Sequence, residues 1–270
     1  MERTTQRMIE IPRDVMTDEE LWQPGVLSCQ GCGASLALKL ALKGLGRRTV
    51  VVVPACCMSI IAGPYPYSAS QVPFLHVPFE TAAAGASGVR AALDIRGEED
   101  VVVMAWAGDG GTFDIGLQAL SGAAERNDDI LYVCYDNEAY MNTGIQLSHG
   151  IPYMATASVA YPADIYTKFR KIRSIKGTKF IHILSPCPPG WQIDSADSIR
   201  VSRMATQAKV FPIYEVEDGR YTINVYPERE VTVKDYVKAQ GRFRYITDDV
   251  VNAAQELADR KWEELTGMVE

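Results

Sequence analysis

Four short apolar runs constrain this chain more than any other feature of it. Thr49–Val53, Val101–Ala107, Ile130–Tyr135 and Phe180–Leu184 contain no charged residue. A strand with one wet face alternates apolar and polar side chains, whereas a run that is apolar throughout has to be buried on both faces. Stretches with helical character separate the runs. Residues 34–45 precede the first, Ala-rich residues 80–94 precede the second, and a helix from near Thr112 through about Arg126 precedes the third. Pro162–Lys176 reads as an amphipathic helix before the fourth run, and 194–208 and 247–268 as helices after it. Tyr214–Val216 and Thr222–Val225 suggest a hairpin across Asp218-Gly219. Buried strands alternating with helices predict the α/β class, a parallel sheet flanked by helices. Ligands of such sheets bind at the carboxyl ends of the strands.

The balance of residues narrows the function classes. With 27 Lys+Arg against 34 Asp+Glu the formal net charge is −7, and no basic block stands out, which argues against general nucleic-acid binding. Hydrophobic residues make up 47% of the chain, too many for intrinsic disorder. The apolar run Val50–Gly63 is broken by Pro54 and too short to span a bilayer, and the polar start of the chain carries no apolar export segment. A cytoplasmic location is the expectation. Six cysteines in 270 residues are too sparse for a disulfide scaffold, so their spacing is read as metal binding, catalysis or core packing.

Two groups of residues carry chemistry. Gly108-Asp109-Gly110 ends the second apolar run, and Asp136-Asn137-Glu138 follows the third. Neighbouring strand ends bring Asp109 and Asn137 within reach of one hard cation, and Mg²⁺ is commonly held by one or two protein oxygen ligands plus phosphates. Gly110 and Gly111 let the backbone approach an anion closely, and a helix starting near Thr112 directs N–H groups at the same point. A lone Gly-Asp-Gly is usually a tight turn; paired with an asparagine after the next strand it has the spacing of thiamine diphosphate enzymes. The second group is Cys29-Gln30-Gly31-Cys32-Gly33, with Cys56-Cys57 after the first strand and Cys187 in SPCPPGW after the fourth. Four thiolates suit zinc or a [4Fe-4S] cluster. A redox pair or inert packing fits the spacing equally well, and Cys134, inside a strand, reads as core.

These segments resemble the β subunit of pyruvate:ferredoxin oxidoreductase, in the 2-oxoacid:ferredoxin oxidoreductase family. The likeness covers about residues 27–245, with 1–26 as an N-terminal extension and 246–270 as a helical tail. It rests on CQGCG at 29–33, GPYPYSA at 63–69, VPFLHVPFETAAAGASG at 72–88, GDGGTFDIGLQALSGAAERN at 108–127, YDNEAYMNTGIQ at 135–146, IPYMATAS at 151–158, HILSPCPPGW at 182–191 and QGRFR at 240–244. The resemblance implies a thiamine diphosphate-binding fold with Mg²⁺ and a proximal [4Fe-4S] cluster. It implies Asp109 and Asn137 as side-chain Mg²⁺ ligands and the backbone carbonyl of Ala139 as a third. Gly108, Gly110, Gly111, Thr112, Asn142 and Thr143 would line the cofactor, Asn142 being the catalytic candidate. Cys29, Cys32, Cys57 and Cys187 would hold the cluster; Cys56 competes with Cys57, which is preferred because the family pattern has its cysteine directly before a residue like Met58.

The reaction so implied is oxidative decarboxylation of pyruvate with coenzyme A to acetyl-CoA and CO₂, the electrons passing through the cluster to ferredoxin. Other 2-oxoacids (2-oxoisovalerate, 2-oxoglutarate, oxalate) and a non-redox thiamine-dependent decarboxylase or synthase are the alternatives. The implied partners are α and γ subunits and a ferredoxin-like δ subunit, with the carboxylate that activates the cofactor supplied by α. One departure stands out: relatives carry some tens of residues between the TGIQ and HGIPY segments, and here Gln146 runs almost directly into His149. Among the remaining residues, Glu80 reads as a cap or first residue of its helix, Glu138 as a neighbour of the metal loop without catalytic duty, and His76, His149 and His182 as structural. Pro64-Tyr65-Pro66-Tyr67 reads as a rigid loop. The apolar stripe of the last helix (Val250, Val251, Ala254, Leu257, Trp262, Leu265) fits either its own domain or a neighbour.

Overall fold

A computed structural model describes residues 19–138 and 150–269. The chain enters helix α1 (Gly33–Leu45), strand β1 (Thr49–Pro54) and the short α2 (Cys57–Ile61), then β2 (Phe74–Val77) and α3 (Ala82–Ile95). Next come β3 (Val102–Gly108), α4 (Asp109–Phe113), α5 (Leu117–Glu125), β4 (Leu131–Asp136) and β5 (Tyr153–Ser158). Then follow α6 (Pro162–Lys171), β6 (Lys179–Leu184), α7 (Pro188–Trp191) and α8 (Ser198–Gln207). The chain ends with β7 (Ile213–Glu217), β8 (Arg220–Val225), α9 (Val233–Lys238) and α10 (Asp248–Gly267).

The strands form one sheet in the order β2-β1-β3-β4-β6-β5-β7-β8. The pairings from β2 to β5 are parallel, and the β7–β8 hairpin adds to β5 antiparallel. The apolar runs are the central strands, and their two-residue period sorts side chains onto two covered faces. Met104 and Trp106 of β3 join α1 and α6 in one core, while Val103, Ala105 and Ala107 join α3 and α5 in another. Each face is sealed by a helix layer, which is why the runs show no polar alternation. A third cluster gathers Leu184, Trp191, Val201, Tyr236, Val251 and Ala258 behind the end of β6, so the last helix packs on its own chain. Val250 and Leu257 of that helix face outward. Among the described residues no helix is long and apolar enough to cross a membrane.

Three local expectations change. The helix expected from Thr112 to Arg126 is two helices, α4 and α5, broken at Asp114–Gly116. The break brings Gly116 so close to the Gly111 carbonyl that a Cβ there would lie 2.0 Å from that oxygen. Glu80 neither caps nor begins α3: the N-cap is Thr81, with no side-chain cap bond, and the first turn holds no acidic residue. Finally, β2 and β5 are strands that the apolar-run criterion passes over.

Candidate active site

The carboxyl ends of β1, β3, β4 and β6, four adjacent strands, lie along one edge of the sheet. Cys56-Cys57 follows β1, Asp109 follows β3, Asn137 follows β4, and Cys187 follows β6. Because α1 leads into β1 from the opposite direction, its N-terminus, with Cys29 and Cys32 before it, returns to this same edge. The topology thus brings both sequence groups to one place.

Gly108 pairs with Tyr135 across β3 and β4, so Asp109 and Asn137 stand one and two residues beyond paired positions of adjacent strands, which run about 4.8 Å apart. Asp109 is buried and opens α4. Thr112 is fully buried, and its hydroxyl is committed internally: it donates to the Gly108 carbonyl at 2.6 Å and accepts from the Tyr132 hydroxyl at 3.3 Å. Its side chain therefore fixes the turn.

The second loop is gripped from the C-terminal part of the chain. Trp191 Nε1 donates to the Asn137 carbonyl at 2.5 Å. Glu138 has left-handed backbone (φ 55°). Its carboxylate accepts from the Tyr236 hydroxyl at 2.6 Å and from Arg242 Nη2 at 2.5 Å, and its carbonyl accepts from Arg242 Nη1 at 3.1 Å. The guanidinium lies over the Trp191 ring, 4.6 Å from its centre. Burial pushes the Glu138 carboxyl up, with the Tyr236 hydrogen bond and the Arg242 charge working against it; burial also holds the Tyr236 hydroxyl well above its ordinary range. Just before them, Asp136 accepts from the Glu138 amide at 2.6 Å and pairs with His182 Nε2 at 2.6 Å. His182 is buried edge-on to Phe113 and Phe211, in a structural setting. His76 lies exposed on β2.

The cysteines meet around the start of α1. Gly33 N–H donates to the Pro186 carbonyl at 3.1 Å, and Ser198 Oγ donates to the Gly31 carbonyl at 2.9 Å, so the CxxC turn is clamped between the Cys187 loop and α8. Both glycines are required there: Gly31 has φ +73°, and a Cβ on Gly33 would lie 2.6 Å from Pro186 N. Burial raises the Cys32 thiol, and the nearby Cys187 and Cys29 raise it further. The Cys57 thiol is raised by burial and then by Cys56, Cys187, Cys32 and Cys29. Cys57 therefore lies near Cys56, Cys187, Cys32 and Cys29, and Cys56 is the N-cap of α2 with a hydrogen-bond contact to Tyr135. Cys134 is fully buried in β4, as a core residue should be.

Among the described residues no three His, Cys, Asp or Glu side chains stand close enough to bind a single metal ion. The donor chemistry fits the implied groups nonetheless. The Mg²⁺ set that the resemblance implies would be one carboxylate, one amide and one backbone carbonyl, with phosphate oxygens completing it. A four-iron cube is wider than a single ion, so its four thiolates stand further apart than zinc ligands do. Ala139, Asn142, Thr143, His149 and the shortened segment after Gln146 lie outside the described residues. Tyr65 and Tyr67 of the Pro-Tyr loop are exposed.

Residues 55–183 match the family model described as thiamine pyrophosphate enzyme, C-terminal TPP binding domain. The ketoisovalerate oxidoreductase subunit VorB of Pyrococcus abyssi is 42% identical over 97% of this chain and 99% of its own length. Pyruvate synthase subunit PorB of Methanothermobacter thermautotrophicus is 43% identical over 92% of this chain and 98% of its own. The chain belongs to the 2-oxoacid:ferredoxin oxidoreductase family. Within it, the likeness is to the β subunits, and this β subunit is part of an enzyme. The alignment to the Pyrococcus subunit runs over 308 positions, so that relative carries residues with no counterpart in these 270. A solved structure of 2-oxoglutarate:ferredoxin oxidoreductase from Magnetococcus marinus shares the fold, with a TM-score of 0.51 and 20% identity over 73% of this chain and 82% of that one.

The grip of Trp191, Tyr236 and Arg242 on the Asn137–Glu138 turn has no signal in local spacing. Its only trace is that SPCPPGW and QGRFR stand among the segments carrying the resemblance.

Proposed function

We propose that this chain is the catalytic β subunit of a cytoplasmic pyruvate:ferredoxin oxidoreductase, working with α, γ and ferredoxin-like δ subunits. In this reading pyruvate and coenzyme A give acetyl-CoA and CO₂, and the electrons pass through a [4Fe-4S] cluster on Cys29, Cys32, Cys57 and Cys187 to ferredoxin. What supports it is that the Asp109 loop, the Asn137 turn, Cys56-Cys57 and Cys187 follow the carboxyl ends of adjacent parallel strands, with the Cys29–Cys32 turn tied by the Gly33 N–H to the Pro186 carbonyl. Bound thiamine diphosphate would supply the electron sink that decarboxylation needs. Asp109 and Asn137, with the Ala139 carbonyl, would hold Mg²⁺ against the diphosphate, and the backbone of Gly108, Gly110, Gly111 and Thr112 would admit it closely. Asn142 and Thr143 would line the substrate side. Thr112 and Glu138 keep the two loops in place, the first through Gly108 and the second through Arg242.

Pyruvate is preferred because the GPYPYSA and YMNTGIQ segments resemble the pyruvate branch. The second reading, 2-oxoisovalerate, is supported by the Pyrococcus relative, which is as similar as the pyruvate synthase subunit. The complex isolated anaerobically should reduce ferredoxin in the presence of coenzyme A with a higher kcat/KM for pyruvate than for 2-oxoisovalerate. The reverse order would establish the second reading, and no turnover of any 2-oxoacid would sink both.

A further inference from the structure

We propose that Arg242 is a positioning residue that latches the Asn137–Glu138 turn to the cysteine loop and sets the geometry with which that turn meets Mg²⁺ and the diphosphate. The proposal rests on the reading above. Arg242 is 104 residues from Glu138 in sequence, yet it touches that residue twice, once at the carboxylate and once at the carbonyl. The two contacts fix both the side chain and the peptide plane of a residue whose backbone is left-handed, a conformation that a non-glycine residue adopts at a cost. Tyr236 holds the same carboxylate oxygen.

The other face of the guanidinium covers Trp191, and Trp191 in turn donates to Asn137, the residue before Glu138. Trp191 is tied to the Cys187 loop, since its amide donates to the Cys187 carbonyl at 2.8 Å. The latch is itself braced: Gln240 accepts from Arg242 Nε at 2.9 Å and donates to the Tyr236 carbonyl at 3.1 Å. One planar cation therefore joins the turn that carries an oxygen donor to the loop that carries a thiol. Lysine cannot replace it, because a point charge neither forks across two acceptors nor stacks on an indole in the same way.

The test is Mg²⁺-dependent binding of thiamine diphosphate to the intact complex, with Mg²⁺ titrated at fixed cofactor. Residues that orient ligands from behind cost about 10–100-fold in metal affinity when lost. Arg242→Ala should raise the Mg²⁺ concentration for half-saturation by that factor, and excess Mg²⁺ should restore full occupancy. Arg242→Lys should stay impaired. A wild-type Mg²⁺ requirement in either variant overturns the latch, as does a deficit that excess Mg²⁺ does not repair, which would mean general damage. If Arg242→Ala fails to assemble, Arg242→Lys decides. Absence of Mg²⁺-dependent binding in the wild type would instead overturn the thiamine reading beneath it.

Discussion

Gly33→Ala places a methyl group where the cysteine loops touch. Its Cβ would lie 2.6 Å from Pro186 N and 2.8 Å from Ser185 C, both backbone atoms with no side-chain freedom to yield. The Pro186–Cys187 segment would have to retreat from α1. Overpacking of this kind costs about 1–3 kcal/mol, and loss of the Gly33 N–H bond to the Pro186 carbonyl adds about 1 kcal/mol. Against this stands a gain of about 0.4–1 kcal/mol from stiffening the unfolded chain. The net is a destabilisation of about 1–3.6 kcal/mol, or a fall in Tm on the order of 2–14 °C for a chain of this size. Gly88→Ala is the matched control: it sits within α3 with nothing within 4 Å of its Cβ, so it should stabilise by up to about 1 kcal/mol. Thermal unfolding of the intact complex reads both, and iron per chain reads whether the separated loops still hold their cluster. Gly33→Ala with an unchanged or raised Tm and full iron would refute the reasoning.

Two further outcomes follow from the same structure. Cys57→Ser should lower iron and acid-labile sulfide by about one four-iron cluster per chain, whereas Cys56→Ser should leave them unchanged; the opposite result would exchange the two residues. Lys168 is buried in an ion pair with Asp164 at 2.8 Å and also donates to the Thr156 carbonyl at 2.7 Å. Lys168→Met alone should cost about 3–5 kcal/mol by chemical denaturation, and adding Asp164→Leu should recover most of it, because an unpaired buried charge costs more than no charge at all.

The sequence reveals the parts of this fold that burial dictates on both sides. β1, β3, β4 and β6 are continuous apolar runs because each is covered by helices on both faces. β5 escapes that criterion because Thr156 and Ser158 interrupt it; the Thr156 hydroxyl donates to the Pro212 carbonyl and accepts from the Tyr214 amide. β2 escapes it as a four-residue edge strand with exposed Leu75 and His76. At the site, the strand-end positions of Asp109, Asn137, Cys56-Cys57 and Cys187 can be read from the sequence, whereas the return of the Cys29–Cys32 turn to the same edge follows from the α1–β1 connection. The preference for Cys57 rests on the family pattern. The surroundings of Cys56 and Cys57 needed the three-dimensional arrangement, in which Cys56 is the N-cap of α2 in contact with Tyr135 and Cys57 begins that helix. The partners of Glu138 needed it too, since no local pattern announces a contact across about a hundred residues.

In the proposed reaction, a thiamine diphosphate site built on Asp109 feeds electrons into a cluster on the same sheet edge. Electron paramagnetic resonance of the anaerobic complex after addition of pyruvate tests this most directly, comparing the wild type with Asp109→Ala at equal iron content. A reduced-cluster signal in the wild type and none in the variant is the predicted result. A signal of equal size in both would mean that the electrons do not come from a site built on Asp109.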